Sequence, residues 1–239
     1  MEERLQKLIA HSGLTSRRGA EELIRQGRVR VDDRPAHLGQ KVDPEKARVE
    51  VDGVSLPIKP GALYFLVNKP PGVVSTAHDP HGRATVVDLV PAETRLYPVG
   101  RLDADSEGLV LLTNDGDLAD LVTHPRYGVP KTYTVLAEGV PSRAALRSLA
   151  EGVELEDGPA RALSARLLDA GDRKALVEVV MGEGRKREVR RMFEVIGHPV
   201  RRLVRTAIGP LRDSTLSPGE WRPLTLEEVR ALYQAAGDR

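Results

Sequence analysis

Three carboxylates, Asp103, Asp105 and Glu107, stand at alternate positions within Tyr97–Gly116, flanked by glycines and followed by an apolar run. Loops beside strands are where a rigid sheet presents functional groups. Acids so spaced can serve as general acid and base, as a nucleophile, or, at a defined separation, as the pair that hydrolyses a glycosidic bond. An acidic surface turn is the structural alternative. Other chemistries lack their residues. The sequence has no Walker loop, no glycine-rich dinucleotide fingerprint, no His-Glu-x-x-His and no Gly-x-Ser-x-Gly. The absence of cysteine excludes thiol catalysis, cysteine zinc sites, iron–sulfur clusters and a disulfide scaffold. The histidines His11, His37, His78, His81, His124 and His198 show no metal-ligand spacing, and His78 and His81 read as turn residues, so no metal site is expected. Chemistry must then come from carboxylates, Arg, Lys and Tyr.

The chain that has to position these groups is 239 residues long, 40% hydrophobic and 30% charged. At about 150 residues per domain this is one large domain or two unequal ones. The opening Met-Glu-Glu-Arg-Leu-Gln-Lys is acidic and amphipathic, unlike a signal peptide. No apolar run approaches the roughly 20 residues of a membrane span. With cysteine absent, a soluble cytoplasmic protein is expected. The net charge of +1 conceals segregation. Glu183–Arg205 carries eight Arg/Lys against three acids, and Asp79–Asp120 three Arg against nine acids. Such separation predicts local fields. Arginine outnumbers lysine 28 to 8, which suits phosphate and base edges but also follows from a GC-rich or heat-adapted genome.

Residues 1–56 read as a separate module. Leu5, Leu8 and Ile9 have helical spacing and Gly13 fits a helix stop; Ser16 can cap a second helix whose apolar face is Ala20, Leu23 and Ile24. Val29 and Val31 alternate with charged residues as a strand, and Arg48–Val51 is another, running into an Asp52-Gly53 turn. Two prolines and a glycine mark residues 57–61 as a linker to a domain over 62–239. The module gathers Lys7, Arg17, Arg18, Arg25, Arg28 and Arg30, and Ser16-Arg17-Arg18 sets two cations beside free backbone N–H groups, a natural phosphate contact. Helix, Gly-Leu-Thr-Ser-Arg-Arg, helix, then Gly-Arg-Val-Arg-Val-Asp-Asp resembles the RNA-binding module named after ribosomal small-subunit protein four, over residues 2–55. That implies docking on structured RNA through shape and phosphates.

In 62–239, strands are expected at 62–67, 108–113, 131–135 and 175–180, and helices at 142–150, 187–196 and 226–235. The fold class is α+β, a largely antiparallel mixed sheet flanked by helices, joined to the small N-terminal α/β module.

Gly100-Arg101-Leu102-Asp103 followed by Gly-Leu-Val-Leu-Leu-Thr-Asn-Asp-Gly is similar to the motif of the RsuA-type ribosomal pseudouridine synthases. Its companions follow the family order: Asn68-Lys-Pro-Pro-Gly-Val-Val-Ser75, Lys131-Thr-Tyr133 and Gly184-Arg-Lys-Arg-Glu-Val-Arg-Arg-Met192. The resemblance spans nearly the whole chain. It implies the pseudouridine synthase fold and the isomerisation of a uridine flipped from its stack, a reaction without oxidation or hydrolysis that needs no cofactor or metal. It makes Asp103 the essential carboxylate, as nucleophile or as base. Arg190 is then the guanidinium that pairs with it. By the same resemblance Tyr133 stacks on the uracil and Arg101 helps to extrude the uridine. Lys69 supports the site or a phosphate, and Arg83, in the flexible loop Asp79–Thr85, contacts RNA. Arg-Glu-Val-Arg-Arg and Glu156–Ala160 resemble the large-subunit branch more, so 23S rRNA is expected over 16S, free or in a pre-ribosomal particle, with the protein a monomer. Two rivals are a non-catalytic RNA-binding assembly protein, which need not keep Asp103, Tyr133 and Arg190 together, and a glycosidase, which lacks sugar-stacking aromatics beyond Tyr97.

Overall fold

The structure, a computed structural model, describes residues 2–12, 14–44, 46–56 and 62–237. The expected linker at 57–61 and the Gly13 helix stop lie outside the described residues. The chain opens with β1 (Glu3–Arg4), α1 (Leu5–His11) and α2 (Arg17–Arg25). The Ser16 hydroxyl starts α2 by accepting from the Gly19 N–H at 3.2 Å. Strands β2 (Val29–Val31), β3 (Arg34–Pro35), β4 (Lys41–Val42), β5 (Val49–Val51) and β6 (Val54–Ser55) follow. Four of them make a sheet in the order β3-β2-β5-β6, and β4 pairs with β1. Leu5, Leu8, Ile9, Ala20 and Ile24 bury against Val29, Val31, Val49 and Val51, an apolar cluster distinct from those of the larger part.

The larger part is built on a nine-stranded sheet. Its elements are β7 (Tyr64–Lys69), β8 (Tyr97–Val99), β9 (Glu107–Thr113), α3 (Gly116–Thr123), β10 (Lys131–Glu138) and α4 (Arg143–Glu151). A hairpin of β11 (Val153–Leu155) and β12 (Gly158–Ala160) precedes β13 (Ser164–Ala170), β14 (Lys174–Met181) and α5 (Glu188–Val195). The chain continues through β15 (Val200–Ile208), β16 (Leu211–Arg212), β17 (Trp221–Pro223) and α6 (Leu226–Gly237). The strand order is β13-β14-β10-β15-β9-β7-β17, with β16 beside β15 and β8 beside β9. Among the described residues each pairing in this sheet is antiparallel except β9 with β15, so the sheet is mixed and largely antiparallel as expected.

Helices cover both faces. Tyr133, Val135 and Ala137 of β10 share one apolar cluster with Leu146 and Leu149 of α4 and Val189, Met192 and Phe193 of α5. On the other face Leu109 and Leu111 of β9 pack with Leu118 and Val122 of α3 and Val229 and Leu232 of α6. Val110 and Leu112 belong to the first cluster, so β9 is apolar on both sides, as a strand buried on both faces must be.

Two of the elements that the sequence pattern does not reveal have clear causes. Val200–Ile208 forms β15 at the centre of the sheet, its apolar alternation masked by Arg201, Arg202 and Arg205. Helix α3 begins where Asn114-Asp-Gly116 reads as a turn. Asp115 ends that turn and caps the helix at once, accepting from the Asp117 N–H at 3.2 Å.

The parallel pairing of β9 and β15 sets Gly108 opposite Arg205. Gly108 has φ +106°, and a Cβ there would lie 2.6 Å from the Arg205 nitrogen and overlap its carbonyl oxygen. Only glycine permits that approach. Gly108→Ala is therefore expected to lower the unfolding free energy by roughly 3 kcal/mol in denaturant titration; a loss below about 0.5 kcal/mol would show that the contact yields.

Candidate active site

Strand β8 ends at Val99, and Gly100, at φ +75°, turns the chain into the loop that carries the acids. The Asn68–Ser75 segment holds this loop. The Ser75 hydroxyl donates to the Leu102 carbonyl at 3.0 Å and accepts from the Leu102 N–H at 3.1 Å, gripping the residue before Asp103 on both sides. The Gly72 N–H donates to the carbonyl of Ala104, the residue after it, at 2.7 Å. Lys69 is fully buried. Its ammonium donates to the carbonyls of Pro70 (3.0 Å), Val73 (2.7 Å) and Ala104 (3.4 Å), using its three N–H groups. Burial pulls its pKa down to about 8, against the opposing pull of Asp105, Glu107 and Asp103. Lys69 thus supports the loop, and its burial rules out the phosphate contact considered for it.

The three acids part company. The Glu107 carboxylate is held by both arms of Arg202 at 2.9 and 2.7 Å, which lowers its pKa. Asp105 is exposed and ion-paired with Arg187 and Arg190, each at 3.3 Å. Asp103 alone of the three lines a cavity of about 470 Å³, opposite the Glu183–Val189 segment and beside Arg101 and Tyr133. Tyr133 is mostly buried, and its hydroxyl takes no hydrogen bond from the described residues. The register of β10 with β15 shifts between Thr132 and Tyr133, with Thr206 of β15 as the extra residue, the kind of irregularity that re-aims neighbouring side chains.

The expected Arg190–Asp103 pair is corrected. Arg190, on α5 and buried, donates to the Asp105 carbonyl (3.3 Å), the Ser106 hydroxyl (3.2 Å) and the Val200 carbonyl (3.3 Å), besides its ion pair with Asp105. Held inside α5, it reaches the backbone behind the acid. The cation beside Asp103 is Arg187, 3.8 Å from its Oδ2. Arg187 stands immediately before α5 in the left-handed region, φ +50°, which costs a non-glycine residue about 1–2 kcal/mol. Glu188 helps to fix it there by accepting from the Arg185 N–H and Nε, both at 3.0 Å. Sequence reasoning missed Arg187, because nothing in Gly184–Met192 reveals which residue leaves the right-handed region.

Residues 63–195 match the RNA pseudouridylate synthase family, and residues 3–47 match the S4 domain. The chain belongs to the RNA pseudouridine synthase family. Over 238 residues the synthase is 44% identical to ribosomal large subunit pseudouridine synthase B of Bacillus subtilis, covering 98% of this chain and 97% of that protein. Identity to the Vibrio cholerae protein of the same name is 40% over 241 residues, covering 98% and 75%. A crystal structure of a pseudouridylate synthase aligns at TM-score 0.64 and 32% identity, covering 96% of this chain and 99% of the other.

Outside the cavity, the basic residues of the synthase differ in availability. Arg17 and Arg18 are exposed in the first turn of α2 and unpaired among the described residues. Lys7 pairs with Glu3 (3.3 Å), Arg25 with Glu22 (2.8 Å) and Arg28 with Asp52 (2.7 Å). These surface pairs are worth about 0–1 kcal/mol each and exchange readily. The loop expected to be flexible around Arg83 is an organised turn. Asp79 accepts from the His81 and Arg83 N–H groups and pairs with the Arg83 guanidinium at 2.6 Å, contacts that hold its carboxyl well below the usual range.

Two outcomes are expected. Lys69→Met leaves three carbonyls short of a donor and should cost at least about 2 kcal/mol in stability. In the wild type, stability attributable to Lys69 should rise between pH 8 and 10.5, where the unfolded chain still binds a proton the folded one has released; that rise should vanish in the variant, and parallel pH curves for the two would refute the assignment. Arg187→Gly and Arg187→Ala both remove the guanidinium, so kcat should fall in both, roughly tenfold. The glycine variant should be the more stable by about 1 kcal/mol, and equal stabilities would mean that the left-handed backbone is unstrained.

Proposed function

We propose that the synthase converts a specific uridine of 23S rRNA to pseudouridine, with Asp103 as the essential carboxylate. The observation that carries the role of Asp103 is the sorting of the acids: Glu107 and Asp105 stand outside the cavity, each ion-paired with arginine at 3.3 Å or less, while Asp103 lines it with Tyr133. Full-length similarity to large-subunit synthases supports 23S as the substrate.

The uridine must leave its stack to reach the cavity, and Arg101, exposed at the rim, is placed to fill the space left behind. Asp103 then attacks the sugar or base, or withdraws a sugar proton. The bond from the uracil nitrogen to the sugar breaks and the freed ring turns while held against Tyr133. A bond forms from carbon 5 to the sugar as Asp103 is released from its bond to the nucleotide, or returns the sugar proton it took; carbon 5 gives up its proton, and the former glycosidic nitrogen takes one up. Atoms and electrons balance within the nucleotide. Arg187 holds Asp103 electrostatically, while Arg190, Lys69 and Ser75 fix the backbone on either side of it. Residues 1–56, with a hydrophobic cluster of their own, serve as the rRNA-docking unit, engaging phosphates first through Arg17 and Arg18.

Tritium release from 23S and 16S transcripts labelled at uracil carbon 5 tests both parts of the proposal. Wild-type protein should release tritium from 23S, and Asp103→Asn should lower the rate at least a thousandfold, by about the upper range of acid–base and nucleophilic effects, with RNA affinity within about threefold. Release from 16S alone would overturn the substrate, and an active Asp103→Asn protein would overturn the role.

A further inference from the structure

A second groove, about 660 Å³, lies between α4 and β13, the edge strand of the large sheet. Its charged lining residues are Arg143, Arg147 and Arg166, and no acid lines it. Arg166 pairs with Glu178 at 2.8 Å. Arg143 and Arg147 are exposed and unpaired among the described residues. Their placement is unfavourable for the helix. Arg143 stands in the first turn of α4, at the positive end of the helix dipole, and Arg147 repeats its charge four residues on, a repulsive spacing. Leu163 and Leu167 in the same groove are 50% and 42% exposed, and apolar residues on an edge strand invite unwanted association. An unpaired anion beside an apolar surface would relieve all three costs.

Sheet register ties this groove to the active site. Tyr133 of β10 faces Val179 of β14, which faces Ala165 of β13. With strands about 4.8 Å apart, Ala165, in the groove lining, lies on the same sheet face as Tyr133 and about 10 Å from it. At the start of β13, a Cβ on Gly182 would meet both Leu163 methyls at 3.5 Å, and the next residue, Glu183, lines the catalytic cavity.

We propose that this groove holds an unpaired RNA segment adjoining the target uridine, with phosphates on Arg143 and Arg147 and bases against Leu163 and Leu167. The proposal rests on the reading of the protein as an rRNA pseudouridine synthase. Unpaired RNA offers phosphates and flat apolar bases together, and arginine forks match phosphate geometry. An acidic protein would satisfy the charge, but nothing about it would require alignment with Tyr133.

The test uses Arg143→Ala/Arg147→Ala in the full chain; alanine is the best helix former, so α4 is preserved. Binding of the rRNA transcript is titrated against salt, and tritium release gives KM and kcat. KM and Kd should rise about tenfold with kcat at saturating RNA within twofold. The slope of log affinity against log salt should shrink by about 1.4, two single-strand phosphate contacts at roughly 0.7 each. Arg143→Glu/Arg147→Glu should weaken binding further. Unchanged affinity and slope would overturn the proposal, as they would if an acidic protein were the occupant. A fall in kcat at constant KM would overturn it too, since the arginines would then serve the catalytic scaffold. A wild-type protein that releases no tritium from any rRNA would defeat the functional reading alone, because the salt slopes still decide the groove.

Discussion

The buried ammonium of Lys69 joins the end of β7 to the loop that presents Asp103, and the geometry of the site follows from it. Moving such a charge out of water costs several kcal/mol unless hydrogen bonds and opposite charges compensate. Three carbonyls supply the hydrogen bonds and the acids of the adjoining loop supply the charge. The relation is reciprocal, since Lys69 also helps to lower the pKa of Glu107. Asp105 and Glu107 thus have structural work even though they stand outside the cavity. They stabilise the cation that holds their own loop, and they occupy the arginines that pack against it.

Ser75 and Gly72 complete that clamp: the Asn68–Ser75 segment supplies a buried cation, a hydroxyl and an N–H to two residues of the acidic loop, Leu102 and Ala104. Asp103, between the two gripped residues, has its backbone fixed while its side chain remains open to the cavity. Such fixation lets a carboxylate meet a substrate without reorganising at the moment of reaction.

Much of this was legible in the sequence where a single physical signal dominated. The apolar run of β9 and the serine cap of α2 gave their elements within two residues, and β14 and α4 also lie within one residue of the ranges expected for them. The motif residues Asp103, Tyr133 and Arg101 do share one cavity. What escaped depended on tertiary context. Strand β15 carries arginines whose partners lie far along the chain, Glu107 for Arg202 and the Leu109 carbonyl for the Nε of Arg205, so its local pattern looked too polar for a central strand. The pairing of Asp103 turned on a left-handed arginine, a conformation decided by the packing of the Arg185–Glu188 turn and not by residue type.

The segregated charge read from the sequence also changes meaning. The acidic stretch Asp79–Asp120 and the basic stretch Glu183–Arg205 meet one another: Asp105 with Arg187 and Arg190, and Glu107 with Arg202. Much of the basic run is therefore spent on closing the site and is not free to attract phosphate. Cations that remain unpaired among the described residues include Arg17 and Arg18 on α2, Arg101 and Lys186 around the cavity, and Arg143 and Arg147 on α4. Attraction between exposed charges fades beyond roughly 8 Å at physiological salt. On the proposed reading each of these groups therefore acts only on a phosphate close to it, and a chain of net charge +1 would select an RNA whose shape brings phosphates to these places together, where a uniformly basic surface would bind any polyanion.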